Sequence, residues 1–378
     1  MKKKVFAILY AAVTAVLLAA GISTAVRNNR KWPVSADDYE AIMEGGLSLR
    51  DEVKEAAGAV NRILQPTVYY ADGDAIVRTD NDYLLTFHAV SGFDMDLAID
   101  RITALKEFCD GYGIPLFYVS FPSKATYTEL NPADYGIYSN EKETRELFLE
   151  RIRETGIPLL DMAGVFKERG FSQEDVFYRT DHHWKTRMGL IAAKETAEFM
   201  KKGITQDIHT ELLEEERFHT TAYEYQWLGE TGRKVSAAWA GTLDDYVLYE
   251  PDYETSFEYY VPASRISTEG DFSAFIDHNL LSREPDLYQD SLHYVYMKDS
   301  KNITHFRNRN LSGANILLIK DSFSVSMAPF LAAATGDLTW WDMRKNQYDV
   351  FPYIERHRFD AVVIAYTDFW RDEMYAFQ

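Results

Sequence analysis

The sequence almost lacks cysteine, because Cys109 is its one thiol in 378 residues. A single cysteine excludes an intrachain disulfide framework and every zinc site built from several cysteines. Cys109 shares an apolar row at helical spacing with Leu97, Ile102, Leu105 and Phe108. We therefore predict a buried structural thiol, since free cysteine usually behaves as a small hydrophobic residue.

Positive charge is outnumbered, with 40 lysine and arginine residues against 59 aspartate and glutamate residues, and the formal net charge is −19. Such an excess of acid argues against a general nucleic-acid surface and against broad attraction to anionic polymers, although it leaves room for a local basic cleft. Neutral glycans or small acyl groups suit this charge better. The chain also lacks internal repeats and low-complexity tracts, and its 46% hydrophobic content is enough for one large α/β domain or two smaller ones.

One segment lacks charge altogether: residues 5–26 form an uncharged run of roughly the length that spans a bilayer core. We predict a retained single-pass anchor in the cell membrane, with residues 1–4 as a cytoplasmic tip and the folded body outside the cytoplasm. Lysine and arginine lie on both sides of the run, so positive charge does not decide the orientation. The small residues at 23–25 keep signal-peptide cleavage and secretion open as the alternative.

Composition and hydrophobic periodicity divide the remaining chain into three parts. Residues 27–64 are predicted to form a helical stalk, because the chain from Ser35 to about Leu64 is acidic and helix-prone. Residues 65–205 and 311–378 alternate helical patterns with short apolar runs, an order that predicts an α/β domain with a parallel sheet. The helices are expected at 95–110 and 141–154, and the strands at 114–121, 157–160, 316–319 and 361–365.

The stretch 206–310 differs, because aromatic residues are interleaved with threonine, glutamate and glycine and helical periodicity is weak. We predict a β-rich insertion. Its aromatic rows fit either the packing of a β-sheet or a sugar-binding groove, and packing is the commoner use of such rows.

Two motifs carry candidate chemistry. Residues 178–184 place Asp181 two positions before His183, and a carboxylate bonded to one imidazole nitrogen leaves the other nitrogen to take a proton. If the segment is extended, Asp181 and His183 face the same way and His182 faces the opposite way. The second motif is Ser322, which follows the apolar run 316–319 and precedes a helical pattern. A serine at such a turn lies beside helix amides that stabilise a developing oxyanion, although many such serines only cap a helix.

Together these residues make a candidate acyl-transfer triad in the chain order Asp181, His183, Ser322. The chain resembles the DHHW family, relatives of the alginate O-acetylation proteins with SGNH-hydrolase-like domains. The resemblance rests on these motifs and on 122–124, 160–161 and 342–344, and it covers about 65–370. The order is permuted relative to ordinary SGNH enzymes, and no clear counterpart of their asparagine block is present, so Ser322 supplies the one expected oxyanion amide.

The resemblance implies an extracytoplasmic serine enzyme that adds or removes acetyl groups on a cell-surface or exported polysaccharide. It assigns the triad roles to Asp181, His183 and Ser322, and its motifs supply four candidate substrate-binding residues: Lys124, Tyr178, Trp184 and Arg344. No cofactor is expected, because coenzyme A is absent outside the membrane. A transferase would therefore need a membrane-bound O-acyltransferase to supply acetyl groups.

Two alternatives belong to other classes of protein. A metal hydrolase would use Asp181, His182 and His183, but adjacent histidines rarely chelate one ion and no H-E-x-x-H motif accompanies them. We therefore expect no metal. The second alternative is a non-catalytic protein that binds polysaccharide or scaffolds an export and acetylation complex.

Overall fold

The computed structural model describes residues 50–65, 67–71, 73–297, 303–345, 348–368 and 370–377. The predicted anchor at 5–26 and the first part of the predicted stalk lie outside the described residues. Among the helices that are described, none is long and apolar enough to cross a bilayer.

The described residues form strands and helices that alternate along most of the chain. The strands are β1 (Val68–Ala71), β2 (Asp74–Arg78), β3 (Leu84–Phe87), β4 (Leu116–Phe121), β5 (Leu159–Asp161), β6 (Phe218–Trp227), β7 (Asp244–Pro251), β8 (Phe257–Val261), β9 (Ile266–Gly270), β10 (Thr304–Asn308), β11 (Asn315–Lys320), β12 (Asp337–Trp341) and β13 (Ala361–Thr367). The α-helices are α1 (Arg50–Leu64), α2 (Met95–Gly111), α3 (Lys124–Tyr127), α4 (Glu141–Glu154), α5 (Met162–Glu168), α6 (Gln173–Val176), α7 (Thr186–Lys201), α8 (Glu230–Val235), α9 (Ala237–Ala240), α10 (His278–Leu281), α11 (Ala328–Ala334) and α12 (Val350–His357). Short 3-10 helices cover Pro132–Tyr135, Thr210–Leu213, Glu215–Arg217, Phe272–Phe275, Leu292–Val295, Ser322–Ser326 and Asp372–Tyr375.

The main sheet has the strand order β5-β4-β13-β11-β12-β10-β8-β9. The first five strands are parallel, as the alternating pattern predicts. The last three strands pair antiparallel, so the predicted parallel sheet is confirmed for five strands and the sheet as a whole is mixed. The reason lies in the insertion: β10 pairs with the open edge of β12, β8 pairs with β10, and β9 pairs with β8. Such pairing depends on tertiary packing that local sequence patterns do not specify.

Helices cover both faces of this sheet. Successive side chains of β4 point to opposite sides, so Leu116 and Tyr118 join one buried cluster whereas Phe117 and Val119 join the other. Helices α2, α4 and α12 contribute to the first cluster, and α5, α7 and α11 contribute to the second. The predicted α/β layering is therefore confirmed.

The elements predicted from periodicity lie close to their expected bounds. Helix α2 begins after Asp94, whose side chain accepts a hydrogen bond from Leu97 N at 3.0 Å and caps the helix. Cys109 lies on the covered face of α2 and is fully buried, which confirms the predicted structural thiol. Helix α4 has the predicted bounds.

The aromatic residues of 206–310 mainly pack. Phe218, Trp227, Trp239 and Tyr246 are buried around the β6-β7 hairpin and α9, whereas Tyr225 is exposed. Packing between β-strands therefore accounts for most of this aromatic row.

The described part of the predicted stalk, α1, packs against the body of the protein. Glu55 accepts hydrogen bonds from Ala237 N at 3.0 Å and Ala238 N at 2.7 Å, and Trp239 Nε1 donates to Gln65 O at 3.0 Å. These contacts fix α1 on the 206–310 segment, so this part of the chain does not stand free.

Candidate active site

Ser322 begins the 3-10 helix that follows β11, at the carboxyl edge of the main sheet. The turn is held by Asp321, whose side chain accepts from Phe323 N at 2.9 Å and from Thr367 N, at the end of β13, at 2.6 Å. Burial raises the pKa of Asp321, although those amides lower it. The nucleophile candidate is thus anchored to the neighbouring strands β11 and β13.

Ser322, His183 and Asp181 lie in one line of hydrogen bonds. His183 Nε2 is 2.9 Å from Ser322 Oγ, and His183 Nδ1 is 2.6 Å from Asp181 Oδ1. Because an ionised carboxylate only accepts, Nδ1 donates to Asp181 and Nε2 is left as an acceptor for the serine hydroxyl. This arrangement orients the imidazole to take the hydroxyl proton.

The local geometry of the motif differs from the predicted extended segment. Residues 179–183 form consecutive bends between the bridged residues Phe177 and Trp184. Asp181 Oδ1 also accepts from His183 N at 2.9 Å, so a tight side-chain turn brings the two groups together, as aspartate commonly does in turns.

The predicted orientation of His182 is wrong for the same reason. Its ring centroid lies 3.8 Å from that of His183, and both rings line the same cavity. The side chain of His182 is 30% exposed, whereas that of His183 is 3% exposed. The bent backbone places both imidazoles on one side, with His183 alone buried against Asp181.

The segment 206–310 holds the acid in place. Asp181 Oδ2 accepts from Glu230 N at 2.7 Å, at the start of α8. The preceding residue of the motif, Thr180, accepts from Gly229 N through its hydroxyl at 2.8 Å, and Asp244 accepts from Thr180 N at 2.7 Å. A β-carbon on Gly229 would lie 2.3 Å from Asp181 Cβ, so only glycine fits this approach.

A further histidine, His293, packs directly on the triad candidates. Its ring stacks on His183 with centroids 3.5 Å apart and planes inclined by 9°. Its Nε2 donates to Ser322 O at 2.8 Å. Burial lowers the pKa of His293 to about 4.

The buried acid and base have lowered pKa values. Burial would raise the pKa of Asp181, but the charge and hydrogen bond of His183 hold that pKa well below its usual range. Burial, with the neighbouring His182 and His293, lowers the pKa of His183, although the Asp181 carboxylate opposes this shift. The resting pair is therefore an ionised carboxylate beside a neutral imidazole, which is the protonation state that a general base requires.

A cavity of about 810 Å³ opens over these residues. Ser322, His182 and His183 line it together with Lys124 and Arg344. Its remaining wall combines acidic, basic and aromatic side chains, among them Asp74, Glu141, Lys234, Tyr294 and Trp370. The volume suits a ligand of drug or oligosaccharide size.

Two of the predicted substrate-binding residues line this cavity and two lie in the core. Lys124 and Arg344 border the cavity. Tyr178 and Trp184 are buried, and their polar atoms bond to Thr186 Oγ1 at 3.2 Å and to Ser326 Oγ at 2.9 Å. The prediction that these two aromatic residues bind substrate is corrected: their rings pack the region beneath the site, because an indole or phenol that finds a buried partner is stable in the core.

The two cavity residues are themselves engaged. Lys124 Nζ donates to Leu84 O at 2.9 Å and Arg179 O at 3.0 Å, and burial lowers its pKa to about 8. Arg344 binds Asp342 through two hydrogen bonds of 2.9 and 2.7 Å. Lys124 therefore connects β3 to the backbone just before Asp181. Arg344 lies at the cavity wall with its guanidinium group paired to Asp342.

A cluster of three ligand atoms also occurs at the motif. Donor atoms of Asp181, His182 and His183 lie within 4.8 Å of one another. The Asp181 carboxylate already accepts from His183 N, His183 Nδ1 and Glu230 N. A metal ion bound through Nδ1 would break the hydrogen bond that orients His183, so the geometry favours proton transfer over chelation.

Sequence reasoning missed His293, Gly229 and Asp244. His293 is one of nine histidines and no local motif marks it. For Gly229 the sequence gives only a weak signal, because glycine is a common residue just before a helix and does not by itself indicate a close backbone contact. Asp244 carries none, since its bond to Thr180 spans 64 residues.

Comparison with known proteins shows which domain family and which solved structures the chain resembles. Residues 96–268, just under half of the chain, match the family profile of the SGNH hydrolase-like domain of acetyltransferase AlgX. No curated protein matches the chain. The matched range contains the Asp181 and His183 motif and the Gly229 contact, and it ends before Ser322.

Two solved structures share the fold over most of the chain. Bacillus cereus PatB1 has a TM-score of 0.64 at 18% identity and covers 81% of this chain and 99% of its own. A DHHW family protein from Eubacterium siraeum has a TM-score of 0.59 at 16% identity and covers 82% of this chain and 96% of its own. The predicted resemblance and the SGNH-like α/β fold are therefore confirmed.

Proposed function

We propose that this protein is a serine acyl enzyme that adds acetyl groups to, or removes them from, a cell-surface or exported polysaccharide. The observation that carries the proposal is the unbroken line of hydrogen bonds from Ser322 through His183 to Asp181 at the wall of an open cavity. The acetyltransferase profile over 96–268 supports acetyl as the transferred group.

The geometry supports a two-step mechanism. His183 Nε2 takes the hydroxyl proton as Ser322 Oγ bonds to the acetyl carbonyl carbon, and Asp181 stabilises the imidazolium. The bond from that carbon to the donor oxygen then breaks, and His183 returns the proton to this oxygen. A sugar hydroxyl or water repeats the sequence on the acetyl-serine and releases Ser322.

The oxyanion needs a donor, and we assign this role to the Ser322 amide. Ser322 is the first residue of its 3-10 helix, where an amide has no carbonyl partner within the helix. Backbone amides aimed at a developing oxyanion are typically a large contribution to acyl transfer.

We also propose where the enzyme works and where its acetyl groups come from. The uncharged run 5–26 supports an extracytoplasmic enzyme, either anchored or secreted. Coenzyme A is absent there, so a transferase receives acetyl groups from a membrane-bound O-acyltransferase. Hydrolysis of acetyl esters needs no such partner.

The first test replaces Ser322 with alanine and measures hydrolysis of a small acetyl ester. We expect turnover to be lost and stability to change by only about 1 kcal/mol, because the hydroxyl is at a turn. Ser324→Ala is the matched control on the same 3-10 helix, since the buried Ser324 Oγ has no hydrogen-bond partner within the described residues. Full activity in the Ser322 variant would contradict the proposal and place the nucleophile on another residue, whereas no turnover by the wild-type protein would favour a non-catalytic polysaccharide-binding protein.

A covalent probe separates chemistry from binding. PatB1 has been solved with a sulfonyl adduct, which supports the use of a sulfonyl fluoride here. We expect the full chain to gain one sulfonyl group on Ser322 by mass spectrometry, with loss of fluoride, and the Ser324 control to label equally. Labelling that persists in Ser322→Ala would place the reactive residue elsewhere.

Metal independence is the second prediction. The carboxylate of Asp181 is occupied by three N–H donors, so we expect dialysis against a chelator to change the rate by less than about twofold. Loss of activity that zinc restores would replace the serine mechanism with a metal-dependent one.

A further inference from the structure

His293 comes from a part of the chain that is remote from the triad motifs. It lies on the 3-10 helix Leu292–Val295, within the segment predicted as an insertion, and its side chain is buried. Ser322 is 29 residues away and His183 is more than 100 residues away. Only the folded chain brings the three together.

The contacts of His293 define its tautomer. The carbonyl oxygen of Ser322 can only accept, so His293 Nε2 carries the hydrogen of the 2.8 Å bond. The edge of the His293 ring therefore contacts the backbone of Ser322. Its face meets His183 at 3.5 Å and 9°, which leaves the His183 ring little freedom to tilt.

The proposed function gives these two contacts a common role. We propose that His293 is a positioning residue for acyl transfer: by stacking it fixes the plane of the His183 imidazole, and by its hydrogen bond it fixes the backbone of Ser322. The distance between nucleophile and base is then set by one rigid side chain that touches both. Misplacement of reacting groups by about 1 Å can lower a rate by roughly 100-fold.

Charge is part of the arrangement. Groups that face His293 include Asp181 and His182 from the motif, Lys320 from β11, and Tyr294 beside it. With its pKa lowered by burial, His293 stays neutral at neutral pH, so the stack holds at most one charge when His183 takes the serine proton. Two charged imidazoles at this separation would repel.

The test compares three replacements in the full chain with a small acetyl ester. His293→Phe keeps an aromatic face and removes the donor, His293→Gln keeps a donor and removes the stack, and His293→Ala removes both. We expect each of the first two to lower kcat about 10- to 100-fold with KM changed by less than about twofold, and the alanine variant to lose more.

The pH profile separates positioning from a merely structural role. Activity requires neutral His183, whose pKa is lowered, so the acid limb of the wild-type profile lies below the ordinary histidine range. His293→Ala lets water reach His183 and so relieves the burial that lowers its pKa, and the acid limb of this variant moves to higher pH. His293→Phe keeps the ring covered, so its limb stays near the wild-type position while kcat falls.

His305→Ala is the matched control, because His305 is also shielded from solvent, with its pKa lowered to about 4 by burial, and bonds Thr339 away from the cavity. We expect unchanged kcat and an unchanged acid limb in that variant, with thermal unfolding followed for all variants. Wild-type kcat and pH profile in all three folded His293 variants, with Ser322→Ala inactive, would overturn this inference alone. An active Ser322→Ala variant would overturn the proposed function instead.

Discussion

His182 and His183 are adjacent in the chain, yet their environments assign them different chemistry. His183 is buried between Asp181 and Ser322, with one bond to each. His182 lies at the cavity wall, and its Nδ1 is 3.9 Å from Asp181 Oδ1 and 3.8 Å from Glu230 Oε2. Under the proposed function, His183 is therefore the residue that takes the proton, because its Nε2 is 2.9 Å from Ser322 Oγ.

The third prediction follows from this difference. His183→Ala should lower kcat by about 100- to 10,000-fold, because a general base is lost, whereas His182→Ala should act mainly on KM through the cavity wall. Both variants are assayed on the same ester, with circular dichroism as the folding control. An inactive His182 variant beside an active His183 variant would reverse the assignment.

At this scale the residue types were predictable and their geometry was only partly so. An acid two residues before a histidine indicates a candidate general base from sequence alone, and Asp181 does form a hydrogen bond with His183. It does so through a turn rather than an extended segment, because the aspartate side chain also bonds His183 N. His293 was not predictable, since nothing local distinguishes a histidine whose partners lie elsewhere in the chain.

Among the elements, α8 has a role in the site that its length of six residues does not suggest. Its first amide, that of Glu230, binds Asp181, and its N-cap residue, Gly229, lies against the Asp181 backbone. The element therefore controls where the carboxylate sits.

The fourth prediction tests this element. Gly229→Ala places a β-carbon 2.3 Å from Asp181 Cβ, so α8 or Asp181 must move. We expect unfolding stability to fall by about 1–3 kcal/mol, as for other overpacked sites, and kcat to fall with it. Gly111→Ala on α2 is the control, because its added β-carbon would meet nothing within 4 Å. Wild-type activity in the Gly229 variant would show that α8 does not position the acid.

The strands in the parallel part of the sheet could be predicted from sequence, because a short, continuous apolar run between turn residues is typical of a buried strand. The strands β4, β11 and β13 follow such runs closely. The antiparallel addition of β8, β9 and β10 was not predictable, since amphipathic aromatic strands pair equally well with each other or with another sheet. In the structure β10 pairs with the open edge of β12, and β8 and β9 follow it in order.

For the whole molecule, the net charge of −19 produces a negative electrostatic potential around the protein that acts on any approaching substrate. The cavity itself mixes both signs, with Lys234 bound to Asp74 at 2.7 Å and His88 3.4 Å from Glu141. Long-range repulsion should therefore dominate the approach of an anionic polymer.

The fifth prediction concerns ionic strength. For an acetylated anionic polysaccharide we expect KM to fall as salt rises from about 0.01 to 0.15 M, because the Debye length shortens from about 30 to 8 Å and screens the repulsion. For a neutral acetylated polysaccharide KM should stay constant, which makes it the control. A KM that rises with salt for the anionic polymer would point to a local basic cleft.

The distance between the site residues along the chain has a consequence for synthesis. His183 and Ser322 are 139 residues apart, and the contacts from Glu230 and His293 come from between them. A nascent chain emerges with its acid and base first and its nucleophile much later, and closing such long loops is slow. Under the proposed function, incomplete chains would therefore be inert toward esters, and recovery of turnover during refolding would mark the last contacts to form rather than the first.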